Sequence, residues 1–183
     1  MGVEMVICGF ETGSEKVLKF LKRGTVTVED NRRSILIFRK HKIKVQGSVV
    51  LGSPGETIAD MYQTLDFVDF CLRNGVQRLW AFVLTPFPAT EIWEIAKQRG
   101  KVKDNGFDWD ALAYQNTDCP LLLDEEVDQE EFKKIWLKIH QRIIRFRWNK
   151  VVSFAVHNPL MTLLFILKSP LLSLKLLFTR KDV

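Results

Sequence analysis

The sequence of 183 residues has no closely spaced cysteines. Cys8, Cys71 and Cys119 lie far apart, and no C-x-x-C or C-x-x-H pair occurs. That excludes a zinc finger, a dithiol redox motif and a disulfide framework. Cys8 and Cys71 fall in apolar runs, which predicts buried thiols in a reducing, cytoplasmic compartment. Histidine is equally scarce. His41, His140 and His157 have no partner at metal-ligand spacing, so solvated or capping roles are expected of them. Met1 to Phe10 lacks the basic start and cleavage site of a secretory signal. There is no internal repeat, no low-complexity segment and no recognition motif for nucleic acid, and no nucleic-acid partner is expected. An uninterrupted membrane-length apolar run is also missing. Leu160–Phe178 approaches one, but Lys168, Pro170 and Lys175 break it, which predicts a pair of short interfacial or protein-packed helices instead.

Acidic residues are nearly absent from one end. Positions 133–183 hold 11 Lys and Arg against one Asp or Glu, a net of +10, whereas 1–132 hold 16 against 21, a net of −5. The positive charge belongs to the C-terminal stretch, where it is interleaved with apolar residues. Such a pattern suits a membrane surface or an acidic partner and needs an explanation separate from the rest of the chain.

What is present is an alternation of strands and helices. The run Glu4-Met-Val-Ile-Cys-Gly-Phe-Glu-Thr-Gly-Ser14 reads as a buried strand ending in glycine-rich turns, and Val17, Leu18 and Leu21 mark the short helix after it. Thr27 and Asp30 form a capping signal for a second helix reaching about Lys42. Val49, Val50 and Leu51 end a second strand at Gly52-Ser-Pro-Gly-Glu-Thr57, and a helix to about Arg73 follows. Arg78–Leu84, apolar almost throughout, predicts a third strand covered on both faces, followed by a helix from Glu91 to about Gln98. Alternation of this kind predicts a parallel sheet. Ligands in such sheets sit at the loops after the strands. From Asp128 a long amphipathic helix is expected to about Val156, with Phe132, Ile135, Trp136, Ile139, Ile143 and Phe146 on its apolar stripe.

Three strand ends carry a recognisable pattern: Gly9-Phe-Glu-Thr-Gly-Ser14, Gly52-Ser-Pro-Gly-Glu-Thr57 and Thr85-Pro-Phe-Pro-Ala-Thr90. In order and spacing, over about residues 3–95, they resemble the second half of a radical S-adenosylmethionine barrel. The resemblance is closest to the group holding cobalamin-dependent radical methyltransferases and the anaerobic magnesium-porphyrin cyclase. Thr12 stands where that group usually has Ser, and Ala89 where it usually has Gly; the latter matters only if the backbone there needs positive φ. The C-x-x-x-C-x-x-C triplet that binds the group's four-iron cluster does not occur. The resemblance therefore implies a partial (β/α) barrel of three βα units with a C-terminal α-helical extension, and a C-terminal fragment of a radical S-adenosylmethionine protein.

By the same resemblance, Glu11 and Ser14 lie near the ribose and methionine part of S-adenosylmethionine. The carboxylate of Glu11 suits ribose hydroxyls, while Ser14 suits a helix cap as well. Val49 and Leu51 correspond to the apolar contact with adenine or, equally, to barrel core; Val83 and Leu84 correspond to backbone contacts at its edge. Glu56 reads as structural, satisfying N–H groups at a helix start. The Trp109–Cys119 loop reads either as a cover over the open barrel end or as a packing strap.

Four segments follow from this reading: 1–100 as half-barrel, 101–127 as an irregular acidic loop, 128–157 as a basic amphipathic helix and 158–183 as an apolar basic tail. In the intact parent, the resemblance implies a four-iron cluster, reductive cleavage of S-adenosylmethionine to a 5′-deoxyadenosyl radical, and a small-molecule substrate. Methyl transfer through cobalamin is the leading onward reaction and radical cyclisation the alternative. This chain alone is expected to be inactive. The competing reading is a non-catalytic half-barrel scaffold whose basic, apolar tail binds a membrane surface or a partner protein.

Overall fold

A computed structural model describes residues 2–103, 122, 123 and 127–168, with the side chains of 164–168 excepted. The expected loop cover at Trp109–Cys119 and the end of the tail lie outside the described residues. Three strands, β1 (Met5–Glu11), β2 (Lys44–Leu51) and β3 (Val76–Val83), form a parallel sheet in that order. Helices α1 (Glu15–Leu21) and α2 (Val28–Lys40) connect β1 to β2, and α3 (Ile58–Arg73) connects β2 to β3. After β3 come α4 (Glu91–Gln98), α5 (Gln129–His157) and α6 (Pro159–Lys168).

The helix starts follow from their capping residues. Thr27 and Thr57 each accept from the N–H three residues on, and Asp30 and Asp60 return the bond to the cap N–H, completing a capping box at α2 and at α3. Thr90 caps α4 by accepting from Trp93 N–H at 3.1 Å.

The chain forms two compact units, Met1–Ile143 and Ile144–Val183. In the first, the strands alternate. Val45, Val49 and Leu51 of β2 and Leu79, Ala81 and Val83 of β3 are buried on the helix-covered face. Phe10 joins them from β1, meeting Phe67 of α3 edge-on at 5.7 Å between ring centroids. Phe132, Ile135, Trp136, Ile139 and Ile143 of α5 are buried at helical spacing, and Lys138 of the same helix reaches the Tyr62 hydroxyl of α3 at 3.1 Å. The opposite face is open: Ile7 is 71% exposed and Trp80 37%. The expectation that β1 is a buried strand is corrected, since Phe10 is its one buried residue, and so is the expectation that β3 is covered on both faces. Its apolar run supplies one packed face and one solvent-facing row carrying Arg78 and Trp80.

The turn into α4 settles the position of Ala89. Thr90 N–H donates to Phe87 C=O at 3.3 Å, closing a four-residue turn with Pro88 and Ala89 in its centre. Ala89 has φ 63. Proline followed by a positive-φ residue is the type II pattern, in which the second central position favours glycine. Ala89 is exposed, so its methyl packs against little that offsets the strain. The substitution Ala89→Gly is expected to raise stability by about 0.5–1 kcal/mol, read as a higher urea midpoint at unchanged slope.

Candidate functional site

The turn that ends β1 lies at the C-terminal edge of the sheet and is tightly constrained. Phe10 C=O accepts from Thr12 N–H at 2.8 Å and from the Asn31 side-chain amide at 3.1 Å. The first bond closes a three-residue turn centred on Glu11, whose φ is 63. A turn of that kind at a residue bearing a side chain is rare and strained. The ladder between β1 and β2 shifts register at this point, between Gly9 and Glu11. The Glu11 carboxylate folds back over Gly9, so that a Cβ at position 9 would lie 2.5 Å from Oε1. Lys22 Nζ lies 2.8 Å from the same Oε1.

Bonds to α3 hold the turn in place. Thr12 and Thr64 share a hydroxyl–hydroxyl bond of 2.8 Å, and Gly13 N–H donates to Thr64 Oγ1 at 3.1 Å. Ser14 Oγ donates to Asp60 Oδ1 at 2.6 Å, and Lys16 Nζ meets Asp60 Oδ2 at 2.6 Å. Gly13 is required by this approach, because a Cβ there would sit 2.6 Å from Phe67 Cβ. Burial pushes the Asp60 carboxyl up, but the bonds from Lys16, Ser14 and Thr57 override it and hold the group well below the usual carboxylate range.

The loop after β2 is organised by Glu56 in a different manner from that expected. Thr57 caps α3, and the Glu56 carboxylate turns back to accept from Gly52 N–H at 2.6 Å and Ser53 N–H at 3.0 Å. The carboxylate thus serves the loop, since the Thr57–Asp60 box already satisfies the helix start. Glu56 is 2% exposed, and burial raises its carboxyl from 4.5 to about 7 against those two bonds. Among the described residues its Oε1 and the Ser53 hydroxyl meet no partner.

The sequence-derived candidates divide by position. Glu11 lies at the open face. Ser14 is 1% exposed and turned inward, its hydroxyl engaged by Asp60 and by Val17 N–H. Val49 and Leu51 are fully buried on the helix-covered face, with Val83 beside Leu51 in register. Leu84 N–H is bonded to Leu51 C=O at 2.8 Å. The residue of β2 that alternation places on the open face near Glu11 is Val50, with Ser48 two positions before it, opposite Phe82 and Trp80 of β3. Strict period-two counting back from Leu51 would have found Val50. Asp60 has capping-box spacing with Thr57, but its ties to Ser14 and Lys16, and that of Thr64 to Thr12, carry no local signal.

The described cysteines do not fit an iron–sulfur ligand set. Cys8, expected to be buried, is only half-buried, and that partial burial pushes its thiol up. Cys71 is fully buried in α3, where burial pushes its thiol up to about 12. Thiolates are what a cluster binds, and both sites oppose their formation.

No protein-family model matches the chain. It is 28% identical over 141 residues to bacteriochlorophyllide d C-12(1)-methyltransferase of Chlorobaculum tepidum, a match covering 76% of this chain and 29% of that protein. Over 90 residues it is 32% identical to a Methanocaldococcus jannaschii protein named for methylthiotransferase activity, covering 49% and 19% of the two chains. A tRNA-2-methylthio-N(6)-dimethylallyladenosine synthase of Legionella pneumophila is 28% identical over 117 residues, covering 58% and 25%. The chain thus spans less than a third of the length of these curated relatives, which are enzymes named for methyl or methylthio chemistry.

The two carboxylates give opposite pH signatures. Glu56 keeps its proton in the folded state up to about pH 7 and loses it near 4.5 when unfolded, so its contribution is fully present below 4.5 and is lost as pH rises through 7. That loss is expected to reach about 3 kcal/mol, and Glu56→Gln should flatten the stability profile across this window. Asp60 acts the other way, stabilising above its ordinary 3.8 and losing that contribution as pH falls. Asp60→Asn should cost about 2–4 kcal/mol at pH 7, measured by urea unfolding.

Proposed function

We propose that this chain supplies part of the S-adenosylmethionine site of a radical S-adenosylmethionine enzyme acting in methyl or methylthio transfer. The observation that carries the reading is the strained turn at Glu11. It places a carboxylate at the C-terminal end of a parallel strand, over a glycine, on the face that the helices leave open. Strained backbone at a strand end is a mark of a binding position, since folding alone would favour glycine there. The similarity to enzymes named for methyl and methylthio chemistry supports the same reading.

In this proposal Glu11 accepts the ribose hydroxyls, and Lys22 fixes the orientation of its carboxylate. Val50 offers the adenine ring an apolar contact, with Trp80 and Phe82 alongside on the same face. Ser14, Thr12, Asp60 and Thr64 act as positioning residues, because they hold the turn without facing the open side. Bound S-adenosylmethionine supplies the activated methyl group or, with an electron delivered to it, a radical precursor. Cys8 and Cys71 do not fit a cluster, so in this proposal neither of them holds the electron source. Methyl transfer through cobalamin, in a fragment working with the other half of its barrel, is the finer form of the proposal. The poor fit of Cys8 and Cys71 as ligands also favours the second reading, a non-catalytic scaffold.

Two-dimensional NMR of the full chain during titration with S-adenosylmethionine tests the assignment. Shift changes are expected at Gly9, Glu11, Ser48, Val50 and Trp80. Glu11→Gly should abolish them while leaving stability unchanged or higher by up to about 1 kcal/mol, because strain is relieved and only a part-exposed ion pair is lost. Absence of any shift in the native chain, or an unaltered titration in Glu11→Gly, would defeat the proposal.

A further inference from the structure

Among its described residues, the second compact unit presents several exposed apolar side chains. Val152, Phe154 and Val156 on α5 and Leu160 and Met161 on α6 are 56–70% exposed. Single exposed hydrophobes are ordinary, but Phe154 follows Arg147 and Lys150 at helical spacing, so two cations and a large apolar side chain share one face of α5, while Val152 and Val156 lie on the other side. The helical bonds run on both sides of the break at Asn158, from Asn158 N–H to Phe154 C=O at 2.9 Å and from Thr162 N–H to Asn158 C=O at 3.0 Å.

Charge identifies the occupant. From Lys133 to Lys181 the sequence contains no Asp or Glu. Arg145, Arg147 and Lys150 are exposed within less than two turns of one another and immediately precede the apolar residues. An apolar protein surface would cover the hydrophobes and leave these like charges unanswered. An anionic bilayer satisfies both, taking apolar side chains at the acyl boundary and cations at the headgroups. The surface is suited to lying on a bilayer, since no helix among the described residues is long and apolar enough to cross one.

We infer that residues 144–163 form a docking surface for an anionic lipid bilayer, with Arg147 and Lys150 on phosphate headgroups and Phe154, Leu160 and Met161 at the acyl boundary. This inference does not rest on the S-adenosylmethionine reading, which concerns the other unit.

Co-sedimentation of the full chain with phosphatidylcholine vesicles, with and without phosphatidylglycerol, tests it. Binding is expected only with phosphatidylglycerol and should weaken as salt shortens the Debye length from about 10 Å at 0.1 M to about 3 Å at 1 M. Arg147→Gln and Lys150→Gln combined should lower partitioning roughly thirtyfold. Phe154→Ser with Leu160→Ser should lower it as well, with helix content checked by circular dichroism. Equal binding to both vesicle types, binding to neither, or wild-type partitioning by the charge variant would each overturn the inference. Self-association lost on Phe154→Ser, without vesicle binding, would assign the surface to a second copy and overturn it too.

Discussion

The Asp60 carboxylate is the tie on which the rest of the site depends. One side chain completes the cap of α3, receives the Ser14 hydroxyl and meets the Lys16 ammonium, so the start of one βα unit is bolted to the helix of the next. A buried carboxylate is tolerated because every bond it accepts favours its charged form, and losing one would expose the others to the cost of burial. Thr64, one turn further along α3, repeats the arrangement with Thr12 and Gly13. These bonds leave the backbone between Phe10 and Thr12 little choice, and Glu11 takes up the strain.

Strain on one side is matched by openness on the other. The helix-covered face of the sheet is packed with Phe10, Val49, Leu51 and Phe67, all at most 1% exposed, while the opposite face presents Ile7 and Trp80. Polar groups that support the turn point into the first face, and the group it displays lies on the second. Support and display are thereby separated by the thickness of a single sheet. Variants behind the sheet and variants in front of it should differ in kind, the former acting on stability and the latter on what binds.

Much of this was legible in the sequence. The order of elements, the Thr27–Asp30 cap and the apolar stripe of α5 follow from period and capping chemistry, which are local. The facing of β2 was harder to read, because Val49, Val50 and Leu51 are all apolar and either alternation looks acceptable. Trp80 in β3 disguised an open face as a covered one for the same reason. At Ala89 the proline before it signals a type II turn, but alanine in the glycine position conceals it. Glu56 reads as a helix-start carboxylate until Thr57 and Asp60 are seen to have taken that role. The partners of Ser14 and Thr12 could not be read at all, since they depend on which helix face meets the turn.

That last fact bears on how the molecule assembles. The Ser14–Asp60 bond joins residues 46 apart in sequence, and the Thr12–Thr64 bond residues 52 apart. The parallel pairing of β1 with β2 likewise joins Met5 to Lys44 only after two helices have been laid down between them. Contacts of such range are entropically costly until other structure has brought their ends together. The turn at Glu11 is therefore expected to be stably formed only once α3 has docked. In amide exchange it should open together with that helix, even though the turn itself is only three residues long.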